Sequence, residues 1–486
     1  MSKLYIFGIG GTGARVLRSL TNLLASGVSL GKDIDTIVPI IIDPDTSNGD
    51  LTRTVSLMRL YQKIRANLTF DNRPEKKGYF HVGIDDMNTS FRLHLNNVAN
   101  MKFADYIAYN RFANQGQADS NQALLSLLFS DKNLACPLDV GFKGNPNMGS
   151  VVLNDPKNKQ ALFSLLQHFQ SDDQIFIISS IFGGTGAAGF PLLQKTFREA
   201  EKLNLPNSSA IANAAIGAVT VLPYFGLKED KRSEINMETF ISKTKAALKY
   251  YIGNLDVDNL YYISDFIKNR YENVEGATEQ RNKAHFVELA AALAIVDFAN
   301  AHVEHNRIQT NTSYREFAVR GDENPLTLND LCSNTFSSIG RELISFYLFA
   351  RFYMEHFNQT KDYAWAKTPQ MKGTSYGDAF FSDLGQFVEQ YRTQWLKEMS
   401  DNQRCFQPFD LFSNNDDVFD TIMHIEPKKT TMFGRILGKN LKGYPAIDTE
   451  VSDVSMKKLR GLDAYNYFMT IHEEAINNVI KKKYNI

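Results

Sequence analysis

The chain has 486 residues, 43% of them hydrophobic and 22% charged, with a net charge of −1 and a mean hydropathy of −0.29. That is the composition of a globular protein with apolar residues enough for two or three domains, and the near-neutral charge offers no basic surface for nucleic acid. No run of about 18 apolar residues occurs, so no membrane-spanning helix is expected, and Cys136, Cys332 and Cys405 are far apart with no metal spacing, as suits a reducing cytoplasm.

The chain enters an apolar stretch within three residues, with no cationic segment and long apolar run of a secretory signal, so a cytoplasmic protein is expected. Residues 4–7 read as a short buried strand. Gly8, Gly10 and Gly13 then form G-x-G-x-x-G, enclosing Gly11 and Thr12, ahead of a helix over 14–24. A second strand over 37–42 ends in Asp43-Pro44-Asp45, a carboxylate pair suited to a ribose contact. These two elements fit a dinucleotide-binding oxidoreductase and a nucleoside triphosphatase equally. Residues 51–140 contain helix-like pieces, 51–68 and 121–128, with polar, Asn-rich joins, and read as an insertion in the nucleotide-binding half.

Next comes Gly141-Phe142-Lys143-Gly144-Asn145-Pro146-Asn147-Met148-Gly149. Its glycines free the backbone to bend and Pro146 fixes φ, so amides can turn inward on an anion; an ordinary surface loop is the alternative. Residues 175–178 are a β-branched and aromatic run suited to a buried strand. They empty into Gly183-Gly184-Thr185-Gly186-Ala187-Ala188-Gly189, and a helical pattern follows through Leu192, Leu193 and Phe197. Four glycines, two alanines and a threonine exceed what a tight turn needs. A strand, a side-chain-poor loop and a helix N-terminus in succession outline a phosphate site. Gly184 and Gly186 are expected at positive φ. The loop lacks the Lys-Ser/Thr pair of a P-loop.

A strand over 216–222 leads to Pro223-Tyr224-Phe225 and then Glu229 and Arg232, and a strand over 260–263 ends at Ser264-Asp265. Each of these carboxylates is either a ligand contact or a solvated loop residue. From Asn282 through His285 the chain continues into an alanine-, leucine- and valine-rich segment with apolar residues at 286, 289, 290, 293 and 296, the spacing of a buried helix. Asn282 offers donor and acceptor to a base edge or caps the helix. A strand over 314–319 follows, then Asn329 and Asp330. Helices are expected over 342–357, 378–399 and 462–483, and a basic loop at 423–445 carries Lys428, Lys429, Arg435, Lys439 and Lys442.

The loop at 183–189 resembles the signature GGGTG(T/S)G of the tubulin and FtsZ family, with Phe182 in place of the first glycine and Ala188 a departure. The 144–149 loop is similar to that family's G-x-N-P-x-x-G, and the remaining segments occur in family order over about residues 1–335. The resemblance implies an α/β fold: a parallel-sheet nucleotide-binding domain of tubulin/FtsZ type over 1–275, a long core helix within 276–302, and an α+β C-terminal domain over 303–486. It implies GTP with Mg2+ as ligands, held by Gly10, Gly11, Thr12, Gly13, Asp43, Asp45, Gly144, Asn145, Gly149, Gly183, Gly184, Thr185, Gly186, Glu229, Asp265 and Asn282. It also implies a head-to-tail, cytoskeletal filament in which a neighbour's Asp330 and Asn329 complete hydrolysis, with the 51–140 insertion or the C-terminal region free to meet a protein partner. The family pattern N-x-D-x-x-D has a second carboxylate where Ser333 stands here, which favours a non-hydrolysing GTP-bound scaffold. An NAD(P)-dependent oxidoreductase built on Gly8, Gly10 and Gly13 is the alternative of another class.

Overall fold

In the computed structural model the described residues are 2–70, 78–114, 118–139, 141–142, 144–203, 207–228, 237–267, 270–271, 278, 281–301, 311–318, 325–402, 404–413, 417–428, 442–457, 459, 461–484 and 486. Seven strands form one sheet. They are β1 (Ser2–Ile9), β2 (Ile34–Ile42), β3 (Gly83–Ile84), β4 (Gln174–Ser180), β5 (Ile216–Val221), β6 (Asn259–Ser264) and β7 (Ser313–Ala318). Their order is β3-β2-β1-β4-β5-β6-β7, and every neighbouring pair is parallel. The runs at β1, β2 and β4 are almost continuously apolar because a parallel sheet is covered on both faces; every residue of β4 is buried.

The order fixes where a ligand can sit. From β1 the chain builds outward through β2 to β3, returns to β4 beside β1, and then builds the other way. At such a reversal the loops leaving the two central strands diverge and open a crevice at their carboxyl ends. Those two loops are the glycine loops at 8–13 and 183–189.

Helix α1 (Gly10–Ala25) leaves β1. It packs against α2 (Gly49–Arg65) and the core helix α8 (Phe286–Asn300). Between them in the chain lie α3 (Ala118–Leu128), α4 (Pro146–Leu153), α5 (Pro156–Leu165), α6 (Gly184–Arg198) and α7 (Met237–Tyr251). Residues 49–70 and 78–93 are built into the main body: α2 lies on α1, and β3 extends the sheet from β2. A separate small core, formed by Val98, Phe103, Phe129, Leu134, Cys136, Leu138, Phe142, Met148 and Val152, sits under the 141–149 loop.

After β7 the regular elements of the described residues are helices, joined by irregular segments with isolated bridges such as Leu326 with Phe406. They include α9 (Ser333–Glu355), α10 (Ala379–Tyr391), a π-helical turn over 392–396 leading into α11 (Lys397–Ser400), α12 (Gly443–Ser455) and α13 (Ala464–Lys483). Phe349, Phe352, Trp365, Phe468 and His472 pack together at their centre. One continuous hydrophobic core joins these helices to the sheet. Among the described residues no helix is long and apolar enough to cross a membrane.

Candidate functional site

Backbone proximity shapes the first glycine loop. A Cβ on Gly13 would lie 2.4 Å from the Gly8 carbonyl carbon, so α1 can start only if that residue has no side chain. Gly10 has φ of +69°, a left-handed conformation that costs glycine little. The N-cap of α1 is Ile9, which makes no side-chain cap. The first-turn amides of α1 therefore face the crevice without a capping oxygen.

The second loop repeats the arrangement. Gly183 is the N-cap of α6, extended at φ −84°, again with no side-chain cap. Gly184 and Gly186 are not at positive φ, contrary to the expectation from the sequence. They are glycines because other backbone comes too close: a Cβ on Gly186 would sit 2.5 Å from the Ser180 carbonyl oxygen, and one on Gly184 would sit 2.8 Å from the Asn145 nitrogen. The two helix starts face each other, since the Cβ direction of Gly10 points at the Thr185 Cβ, 3.8 Å away. A pair of uncapped N-termini concentrates partial positive charge on one spot.

The third loop closes on the second. Gly141 and Gly144 are left-handed at φ +85° and +68°. Asn145 caps α4, its Oδ1 accepting from the Asn147 and Met148 amides at 3.1 and 3.4 Å, with Pro146 in the first turn. A Cβ on Gly149 would meet the Gly184 carbonyl oxygen at 2.9 Å, and Lys243 of α7 donates to the Gly144 carbonyl oxygen at 2.5 Å. Lys143, Glu229 and Arg232 lie outside the described residues.

At the end of β2 the Asp43 carboxylate accepts from the Asp45 amide at 3.0 Å. Asp45 accepts from the Ser47 amide and hydroxyl at 3.1 and 2.8 Å. Burial pushes the Asp43 carboxyl up to about 7, against the Asp45 amide bond that favours its charge.

Behind the first loop lies a buried polar cluster that no sequence motif announces. Arg15, two residues past Gly13, donates to Asp50 at 3.0 Å, to Glu288 at 2.5 Å, to the Tyr224 hydroxyl at 3.0 Å and to the Thr12 hydroxyl at 3.3 Å. Arg15, Asp50 and Glu288 are 3%, 0% and 1% exposed, so the charges hold one another rather than water. Tyr224 donates to Glu288 at 3.0 Å. A usable signal was present: an arginine in a helix whose residues from Thr12 to Ala25 are all buried needs an acid partner.

Asn282 is not the cap of the core helix. His285 is: its Nδ1 accepts from the Val287 amide at 3.0 Å, while its own amide donates to Glu288 at 3.2 Å. Asn282 instead donates to Asp50, through its backbone amide and through Nδ2, each at 3.0 Å. Burial pushes the His285 imidazole down to about 4, so it is neutral. With Nδ1 accepting, its proton is on Nε2, which is buried and has no partner among the described residues. His285 packs edge-on against Tyr224 at 4.8 Å, and Tyr224 against Phe182, the residue before Gly183, at 6.3 Å. The 282–285 segment is thus linked through Tyr224 to the start of the second glycine loop.

Asp265 is held by Arg404 through two bonds of 2.6 and 3.0 Å. Asp330 accepts from the Thr327 amide at 2.8 Å and hydroxyl at 3.0 Å, closing a short 3-10 turn. Asn329 donates to the His424 carbonyl. That turn is fastened by Leu326 to residues 405 and 407, at 2.7 Å on each side. The structure therefore brings Gly10 toward Thr185 and sets Gly144, Asn145 and Gly149 against Gly184; Asp43 and Asp45 bond within their own turn, Asn282 reaches Thr12 only by way of Asp50 and Arg15, Asp265 bonds across to Arg404, and Asn329 and Asp330 bond within the C-terminal half. Among the described residues no group of three His, Cys, Asp or Glu could hold a metal ion.

No family model matches the sequence, and no curated protein does. Among solved structures the chain is similar to CetZ from Methanosaeta thermophila strain DSM 6194, with 14% identity and a TM-score of 0.26 over 61% of this chain and 50% of that one. It is also similar to CetZ2 from Haloferax volcanii, a GTPγS-bound protofilament, with 13% identity and a TM-score of 0.30 over 63% of this chain and 60% of that one. The chain thus spans 50% and 60% of the lengths of these two structures.

Proposed function

We propose that this protein binds GTP in the crevice between β1 and β4 and hydrolyses it in a head-to-tail assembly. The observation that carries the reading is the meeting of two uncapped helix N-termini, α1 and α6, with the Gly144-Asn145 turn pressed against the second of them. Backbone amides with no side chain between them and the ligand suit a polyphosphate chain, and a Mg2+ ion would offset its charge while keeping most of its water. The residues present fit such a ligand: neither α1 nor α6 has a side-chain cap on its first-turn amides. The helix dipoles and amides bind and orient the phosphates; Asp330 of a neighbouring copy would hold the attacking water.

A non-hydrolysing scaffold is the second reading. It is favoured by the Asp330 carboxylate accepting from the Thr327 amide and hydroxyl within its own turn. The strand order also belongs to dinucleotide folds, so NAD is a necessary control. Calorimetric titration with GTP, ATP and NAD should give saturable binding of GTP alone; binding of NAD and not GTP would replace the reading with the oxidoreductase one. Turnover and sedimentation with GTP then separate the remaining two. Asp330→Ala should keep GTP binding and lose turnover, and mixing it with a variant disabled in the glycine loops should restore some. Tight binding without any wild-type turnover would favour the scaffold.

A further inference from the structure

We infer that Lys243 of α7 gives the site its preference for a nucleoside triphosphate over a diphosphate, by setting an ammonium ion on the turn that receives the third phosphate. The inference rests on the GTP reading above and assigns a residue outside the three glycine loops.

The placement begins at Phe182, which stands where the tubulin and FtsZ signature has its first glycine. The Phe182 ring packs on Phe240 of α7 at 4.6 Å, and Phe225 joins them at 5.6 Å from Phe182 and 6.1 Å from Phe240. Phe182 and Phe240 are both buried, so their contact fixes α7 beside the second glycine loop. Residues three apart share a helix face, and Lys243 follows Phe240 by three. The side chain that departs from the family pattern thus seats the helix that brings Lys243 in.

Lys243 Nζ donates to the Gly144 carbonyl oxygen at 2.5 Å. Gly144 in turn abuts the start of α6: a Cβ on Gly184 would lie 3.1 Å from its nitrogen and carbonyl carbon, and 2.8 Å from the Asn145 nitrogen. With a carbonyl bond of about 1.2 Å, these distances put the ammonium ion within about 7 Å of that Cβ position. The two uncapped helix starts seat one phosphate each. A third phosphate needs a further element, and the Gly144-Asn145 turn is the one pressed against α6. An ammonium ion has three N–H donors, so the bond to Gly144 can persist while another goes to a phosphate oxygen. That second bond joins two full charges and is the stronger of the two. A diphosphate leaves it unmade.

The test is equilibrium binding of GTPγS and GDP to the full chain at fixed Mg2+, with melting followed in parallel. Wild type should bind GTPγS more tightly than GDP, by about tenfold or more. Lys243→Gln keeps an N–H for the Gly144 carbonyl and removes the charge. It should melt like wild type and lose about tenfold in GTPγS affinity, the size of one charge-assisted hydrogen bond, with GDP unchanged. Lys243→Met removes charge and donor together and should lower the GTPγS-to-GDP ratio at least as far. A lysine that served only to hold the turn would move both nucleotides together. Equal losses for the two nucleotides, a wild-type ratio in either folded variant, or a wild type that binds both alike would overturn the inference and leave GTP binding standing. If wild type binds neither, the GTP reading falls and this one with it.

Discussion

At the scale of single residues, the glycines of the site do two different jobs. Gly10 supplies a left-handed turn, whereas Gly186 supplies an absence, because its missing Cβ would stand 2.5 Å from the Ser180 carbonyl oxygen. Gly186→Ala should therefore destabilise the fold itself, by about 1–3 kcal/mol as overpacking does, and valine there is no clean probe of ligand binding. Thr185→Val keeps the shape and removes one hydroxyl, so it should lower nucleotide affinity with the urea midpoint unchanged; a matching drop in stability would mean that the hydroxyl serves the fold. Asp43 gives a pH signature. Its carboxyl is protonated below about 7 and becomes an anion beside the phosphate site above it. Affinity for a triphosphate should then fall as pH rises through 7, more steeply in wild type than in Asp43→Asn. Identical profiles would remove Asp43 from the ligand's surroundings. Much at this scale was legible. The bend at Asn145-Pro146 was legible as part of a loop, and the structure makes it the cap and first turn of α4. The reason for Gly184 and Gly186 was not legible, because it depends on strand and loop atoms that the chain brings near only on folding.

At the scale of elements, the central strands β1, β2, β4 and β5 were readable because a doubly covered parallel strand is apolar almost throughout, whereas the two-residue β3 lies in a stretch read as an insertion. The core helix was readable as buried for the same reason, but its start was not. Residues 281–285 run without regular structure, and the helix begins at Phe286 with a histidine as cap, paired with Glu288 in a capping box. What joins the elements is ionic. Arg15 on α1 ties α2 through Asp50 and α8 through Glu288, with side chains at most 4% exposed. Arg15→Met should cost about 3–5 kcal/mol, because it strands two buried carboxylates. Adding Asp50→Asn and Glu288→Gln to it should recover part of that loss, since the uncompensated charges are gone. Denaturant titration of wild type, the single variant and the triple variant checks this. A triple variant less stable than the single one would mean that the cluster acts through hydrogen bonds rather than charge.

At the scale of the whole molecule, the C-terminal half holds the start of the core helix at several points. Glu398 accepts from the Ala284 amide at 2.8 Å and from Arg53 at 2.8 Å. Asn402 donates to the Ala284 carbonyl at 2.8 Å. Arg404 holds Asp265, at the end of β6. Nothing in the local sequence of 398–404 points to residue 284, since partners more than a hundred residues apart share no periodicity or motif. The same distance hid the link between Asp50 and Asn282. The order of the loops could be read from the chain, whereas the contacts that lock them together come from the fold.

The central claim is that phosphates lie on the free amides of α1 and α6. Hydrogen–deuterium exchange with and without GTPγS tests it most directly, because those amides have no side-chain caps. Bound nucleotide should slow exchange at 10–13 and 184–186 together, with smaller changes at 144–149. Saturating nucleotide that protects other segments and leaves both helix starts unchanged would contradict the account.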